Sequence, residues 1–308
     1  MTSSTDPAAT RVAPASPALL RQAAEDAARA QRAAGVTIAL LGSQAAQLEA
    51  CRLWNDVWDR EGQPPVSPEL LRALAYAGNY VAGAREGGRL VGAVLGFYAG
   101  GAGPDHVHSH MAGVDPTVRG RGVGFAMKLH QRHWALERGL ARITWTFDPL
   151  VRLNGVFNLA KLGAEGDEYL VDFYGSMPDA INGGDETDRI VVTWDLTHPR
   201  VAAAAAGTPA TLEPAPLLEV GAGVALDVGE GDDPVPGLRH GEILLCRVPR
   251  DIVALRRRDP TLGLAWRRAL REALVGASDR GLRIRGITRD GWYVLAPPSA
   301  HLPQGPAR

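Results

Sequence analysis

The feature that most constrains this chain is a glycine-rich turn, Arg119-Gly120-Arg121-Gly122-Val123-Gly124, set between an apolar stretch and a helical one. Such a turn can aim several backbone N–H groups inward at a helix start, where unpaired amide donors and the helix dipole both favour negative charge. Phosphate is the natural guest. The turn is not the Gly-x-Gly-x-x-Gly fingerprint of dinucleotide binding, and no Lys-Ser or Lys-Thr closes it as in a P-loop. Its glycines allow backbone to approach a pyrophosphate closely, and Arg119 and Arg121 bring charge that pairs with phosphate oxygens.

Around the turn, residues 105–164 read as strand, turn, helix to Gly139, strand (142–147) and a short second helix ending at Lys161-Leu162-Gly163. Upstream, Ser16-Pro17 opens an Ala-rich helix to Gly35, residues 36–41 form a strand, and Gly42-Ser43 caps a helix from Gln44 to about Arg60. A helix follows Ser67-Pro68, and residues 80–86 and 90–98 form a hairpin through Gly87-Gly88. With Val114-Asp115-Pro116 leading into the turn, this order resembles GNAT-fold, acyl-CoA-dependent N-acyltransferases over residues 36–197. The fold class implied is α/β (α+β): a GNAT-like mixed, mostly antiparallel sheet flanked by helices, whose fourth and fifth strands splay apart for pantetheine.

The expected organisation is a 1–35 extension, disordered over its first 15 residues, a 36–197 acyltransferase domain, a 198–235 linker and a smaller 236–308 α/β unit. Residues 168–173 and 189–196 would complete the domain's sheet around an Asn182-Gly183-Gly184-Asp185 loop, and an Ala run with four prolines marks the linker. The last unit reads as a strand (242–248), two helices (251–258 and 261–280) and a hairpin through Asp290-Gly291. Its Arg256-Arg257-Arg258 run reads as a solvated helix end.

Composition excludes several classes. Over 308 residues, 33 basic and 34 acidic side chains give a net charge of −1, without the basic excess that nucleic-acid binding shows. No apolar run reaches membrane-spanning length, and the N-terminus lacks the basic and apolar regions of a signal peptide. Cys51 and Cys246 sit in separate apolar contexts and read as free thiols of a cytoplasmic protein.

Asp105-His106-Val107-His108-Ser109-His110 precedes the turn, and strand alternation places the three histidines on one face. They could be a metal set, a structural polar cluster or acid/base groups. Period-two spacing converges poorly on a tetrahedral ion, so no metal is expected. An amine nucleophile must lose a proton, and histidine titrates near neutral pH. The resemblance sharpens this choice: some GNAT enzymes place a basic glutamate on the fourth strand, eleven residues before the Arg/Gln-x-x-Gly-x-Gly pattern, which here is His108, with His110 the runner-up.

By the same resemblance the amides of Arg121, Gly122, Val123 and Gly124 hold the pyrophosphate with Arg119, main-chain groups of Ala112 to Val114 pair with pantetheine, and Asn154 touches its arm, at a spacing short by two. The family's thiolate-protonating tyrosine is replaced by Leu159. Pocket-wall positions are Trp54, Trp58, Trp145, Phe147, Asp148 and Arg152, with Arg152 a candidate carboxylate clamp, while Trp54 and Trp58, one turn apart on one face, read as core rather than pocket. Trp145 to Leu150, Trp-Thr-Phe-Asp-Pro-Leu, also resembles a subgroup of predicted acetyltransferases. The function implied is transfer of an acetyl or succinyl group from acyl-CoA to a small-molecule amine, first an amino acid, in a ternary complex. A weakened CoA-binding module and a protein-lysine acetyltransferase are the alternatives. No nucleic acid or membrane is expected as partner, and a homodimer stays open.

Overall fold

The computed structural model describes residues 15–58, 65–100, 105–175 and 185–303. The N-terminal tail expected to be disordered and most of the Asn182-Gly183-Gly184-Asp185 loop lie outside these residues. So does the helix end near Arg60. The chain forms two compact units, one of residues up to Leu53 with Val66–Ile143, the other of 54–65 with Thr144–Arg308.

In the first unit, α1 (Pro17–Ala34) starts where Ser16 Oγ accepts the Leu19 amide and stops at Gly35, φ 67°. It packs along α4 (Val123–Glu137), with Asp26, fully buried, facing Arg132 at 3.5 Å. Between them in sequence lie β1 (Thr37–Leu40), α2 (Gln44–Trp58), α3 (Pro68–Tyr76), β2 (Tyr80–Glu86), β3 (Arg89–Ala99) and β4 (His106–Val114). The four strands pair in chain order, each antiparallel to the next. The hairpin turns at Gly87 and Gly88, both at positive φ, the backbone that makes a two-glycine turn tight.

Two glycines on β3 set how closely α4 lies on the sheet. A Cβ at Gly92 would sit 2.8 Å from Met127 Sδ, and one at Gly96 2.9 Å from Gln131 Nε2. With no side chain at either position the helix seats directly on β3, and its N-terminal end is delivered just beyond the end of β4.

In the second unit, β5 (Arg142–Phe147), whose first two residues belong to the first unit, leads to α5 (Arg152–Gly155), which continues as a wide π turn, Val156–Lys161. Then come β6 (Glu165–Leu170), β7 (Arg189–Asp195), α6 (Pro199–Ala206), α7 (Pro214–Glu219), β8 (Gly223–Val228), β9 (Pro234–Pro236) and β10 (Leu244–Arg247). The chain closes with α8 (Ile252–Arg258), α9 (Pro260–Asp279), β11 (Arg283–Ile287) and β12 (Trp292–Ala296). Strand pairs β7–β6, β6–β11, β11–β12, β12–β10 and β8–β9 are antiparallel, and β10–β8 is parallel.

The expected division is not the one the contacts make. Residues 198–235 are not a linker: His198 and Pro199 start α6, Gly207 ends it at φ 95°, and Val201, Ala204, Ala205 and Leu217 are buried. The β6 strand begins and ends three residues earlier than expected, and it ends at Leu170 because Asp172, at φ 44°, turns the chain and accepts the Thr187 amide at 2.9 Å.

The Asp148 carboxylate shows what the second unit is built around. Arg267 grips it with two bonds of 2.9 Å, Arg256 adds one of 3.1 Å, and Asp185 sits 2.8 Å from Arg256. Burial raises the Asp148 pKa, but the two guanidiniums and the Leu150 amide outweigh it and hold the group at about 2. Beside this cluster Arg271 binds Asp188 at 2.7 Å, and Tyr169 donates to the same carboxylate at 2.5 Å. Asp148 therefore ties the end of β5 to α8 and α9 and is not a pocket wall, and Arg256 is a buried partner rather than a solvated helix end. Trp145 and Phe147 are also buried, Trp145 packed edge-on against Trp194.

Candidate functional site

The candidate site lies along β4 and into the first turn of α4. Pairing with β3 runs evenly from Val114 back to Met111 opposite Leu95, then resumes with Ser109 opposite Gly96. His110 is the extra residue of a β-bulge. A bulge interrupts the ladder and re-aims the local backbone, so the strand has an irregular point three residues upstream of Gly113.

The bulge leaves the face alternation intact. His108 and His110 stand on one side, their ring centres 6.1 Å apart, and Phe97 packs 5.2 Å from the first and 5.7 Å from the second. Val107, Ser109 and Met111 point inward and are buried. His106 is occupied by Asp105, which also holds Arg142 at 3.0 Å. Among the described residues no three His, Cys, Asp or Glu side chains are grouped as a metal ion needs.

Burial lowers the His108 pKa to about 4, and the charges of His110, His106 and Lys128 push in the same direction. His110 is exposed, and partial desolvation lowers it as well. Both imidazoles are thus neutral at pH 7. The expectation of a group titrating near neutrality is corrected for His108, whose charged form is disfavoured by its apolar and cationic surroundings.

A buried cation beneath β4 was not foreseen. Lys128 on α4 is 5% exposed and donates to Ser109 Oγ at 2.9 Å and to Gln131 Oε1 at 3.3 Å. Burial brings its pKa down to about 7. The signal available was only a Lys and a Gln three residues apart, on a helix that also carries His130, Arg132 and His133.

At the downstream end Asp115 Oδ1 accepts the Thr117 amide at 2.8 Å and starts a short 3-10 turn, Pro116–Val118. The chain then passes Gly120 at φ 80° and Gly122 at φ 86°. Gly122 is the N-cap of α4 and contributes no side-chain bond to the first-turn amides. A Cβ there would meet only Ala34 at 3.9 Å, and one at Gly120 would meet nothing within 4 Å. The helix start is uncrowded at both glycines and lacks any side-chain cap, which fits a pyrophosphate group.

Arg119 is exposed and among the described residues makes no ion pair. Arg121 is bonded to Glu86, which also lies 3.8 Å from Arg89. That bond to Arg121 keeps the Glu86 carboxyl below its usual range, so Glu86 offsets part of the charge expected for phosphate. Ala112 is exposed and Val114 half-buried on the same strand.

The structure thus brings together His108, His110, Ala112, Val114, Arg119, Arg121, Gly122, Val123 and Gly124 in one unit. Asn154, exposed on α5, and Leu159 belong to the other. Leu159 is fully buried, and its carbonyl accepts Arg200 Nη2 at 2.9 Å. No hydroxyl stands there.

The Acetyltransferase (GNAT) family model matches residues 44–158. No curated protein sequence matches the chain significantly. Among solved structures, a probable acetyltransferase from Staphylococcus epidermidis is similar with a TM-score of 0.45 and 16% identity, covering 53% of this chain and 99% of that one. The ribosomal-protein-S18-alanine N-acetyltransferase from Escherichia coli gives 0.42 and 14%, over 53% and 95%. The diaminobutyrate acetyltransferase from Paenibacillus lautus, solved with L-2,4-diaminobutyric acid and coenzyme A, gives 0.41 and 15%, over 53% and 96%. These likenesses are too distant to carry an argument about substrate. By that family match, residues 44–158 resemble the acetyltransferase domain of the GNAT family, whose acyl donor is acetyl-CoA.

Proposed function

We propose that this protein moves an acyl group, acetyl or succinyl, from acyl-CoA to the amine of a small molecule, an amino acid being the first choice, by direct transfer in the cytoplasm. One observation carries the reading. A single strand has two neutral histidines at its bulged upstream half and, just past its downstream end, an open glycine-capped helix start.

Coenzyme A supplies the acyl group as an activated thioester. The amides of Val123 and Gly124 would hold its pyrophosphate, with Arg119 pairing to phosphate oxygens and the main chain of Ala112 and Val114 running beside the arm. As the amine nitrogen bonds to the acyl carbon and the C–S bond breaks, the nitrogen becomes acidic. The neutral His108 imidazole takes that proton, and exposed His110 offers the next station toward solvent. Since Leu159 has no proton to give, the thiolate departs unaided or takes one from water.

Direct transfer is supported by both thiols. Burial raises the pKa of Cys51, and at fully buried Cys246 it reaches about 12, so neither is a ready thiolate nucleophile. The second reading, a CoA-binding module with weakened catalysis, is favoured by buried Leu159 in place of a tyrosine.

Thiol release measured with a panel of acyl-CoAs and amines separates the two. Release that depends on an amino acid supports the transferase. Tight CoA binding with no acceleration by any amine supports the module.

A further inference from the structure

The second unit contains a cleft of about 250 Å³ on the side of β11 that meets α6. Among its walls are Arg200, Arg285, His198, His301, Glu165 and Leu212. The volume is many times the roughly 10–15 Å³ that one water needs. Nothing in the GNAT match accounts for it, since the lining begins at Ala160, past the matched residues.

Both guanidiniums are held in place by backbone. Arg200 donates to the carbonyls of Leu159 at 2.9 Å and Arg285 at 3.1 Å, and Arg285 donates to those of Pro297 and Pro298 at 2.8 Å each. Carbonyls orient a cation without cancelling its charge. The carboxylate in reach is Glu165, 3.5 Å from Arg200, but its side chain is 56% exposed and screened by solvent. Burial lowers the pKa of Arg200, the Glu165 charge works against this, and repulsion from Arg285 lowers it again.

The remaining walls supply donors and a lid. His198 Nδ1 accepts the Arg200 amide at 3.1 Å, which leaves the neutral ring's proton on Nε2. At Gly286 a Cβ would sit 2.7 Å from Leu212 Cδ1 and 3.7 Å from Arg200 Nη2, so the missing side chain lets both residues close over the strand. Among the described lining residues, two guanidiniums against one carboxylate leave a surplus of one positive charge. Oriented guanidiniums match the two oxygens of a carboxylate.

We infer that this cleft binds a small monoanionic carboxylate, clamped by Arg200 and Arg285 beside His198, at a site separate from the acyl-transfer strand. The test is calorimetry on the full-length protein with acetate, N-acetylglycine, glycine and inorganic phosphate, against chloride at matched ionic strength. A saturable carboxylate isotherm is expected, weakened about tenfold or more by Arg285→Gln, with binding of coenzyme A unchanged. Because Arg285 also holds carbonyls, His301→Ala, at an exposed wall residue, serves as a second variant and should weaken binding by a few-fold. Four results would overturn the inference: no saturable carboxylate binding, an effect equal to chloride, carboxylate affinity unchanged in folded Arg285→Gln and His301→Ala proteins, or saturable binding of phosphate alone.

Discussion

His108 combines a catalytic assignment with a measurable titration. Removing a positioned base typically costs 10²- to 10⁴-fold in rate, roughly 3 to 5 kcal/mol, so His108→Ala should lower kcat by about that much with CoA affinity changed only a few-fold. Since its pKa lies at about 4, the base's own acidic limb falls near pH 4, and loss of rate between pH 8 and 6 belongs to protonation of the acceptor amine. A limb near pH 6.5 that disappears in His110→Ala would move the assignment to His110. The same shift links to stability. Between its ordinary value near 6.5 and its folded value near 4, the unfolded chain binds the proton and the folded chain does not, so stability falls as pH drops through that window. Denaturant melts at pH 7 and pH 4.5 should show a smaller loss in His108→Gln than in wild type. None of this was visible in the histidine spacing, which gives the shared face but not the burial, nor Lys128 lying beneath it.

At the level of elements, Asp148 explains why β5 ends where it does. Removing one partner of a buried pair leaves the other charge unpaired and typically costs about 3–5 kcal/mol, and here two guanidiniums lose their shared anion. Asp148→Asn should therefore be strongly destabilised at pH 7 in thermal melts. Because its folded pKa of about 2 lies below the unfolded value of about 3.9, its contribution is present above pH 4 and fades as pH falls toward 2. The gap between Asp148→Asn and wild type should narrow over that range, and a gap independent of pH would contradict the assignment. Elements with strong local signals were legible: the Gly87-Gly88 hairpin, the capped starts at Ser16 and Ser67, and the glycine turn before α4. The α6 and α7 helices were not, because alanine and proline make linkers as readily as short capped helices, and only burial of Val201, Ala204 and Leu217 distinguishes the two. The bulge at His110 was hidden for another reason: it belongs to the pairing of β4 with β3, and the alternation along β4 alone does not show it.

For the molecule as a whole, the second unit is continuous from the end of β5 to the C-terminal hairpin, so cutting at residue 197 does not release a finished domain. It strips Arg256 and Arg267 from Asp148 and Arg271 from Asp188, leaving two buried carboxylates without their guanidinium partners. A 1–197 fragment should fail to give a cooperative melt, and a stable, cooperative fragment would show that residues 198–308 are an independent appendage. The central claim is that this fold serves acyl-CoA through the helix start at Gly122. Gly122→Asp tests it most directly. Aspartate tolerates the left-handed backbone better than most residues, and the nearest atom to its Cβ would be Ala34 at 3.9 Å, so the variant should fold, with a melting temperature lowered by the strain of a side chain at φ 86°. Its carboxylate would occupy the amides that phosphate needs. Calorimetric titration of coenzyme A should show binding to wild type and a loss of at least about a hundredfold in the folded Gly122→Asp protein, since one charge-assisted contact alone is worth tens-fold. Equal affinity in the two proteins would contradict the account.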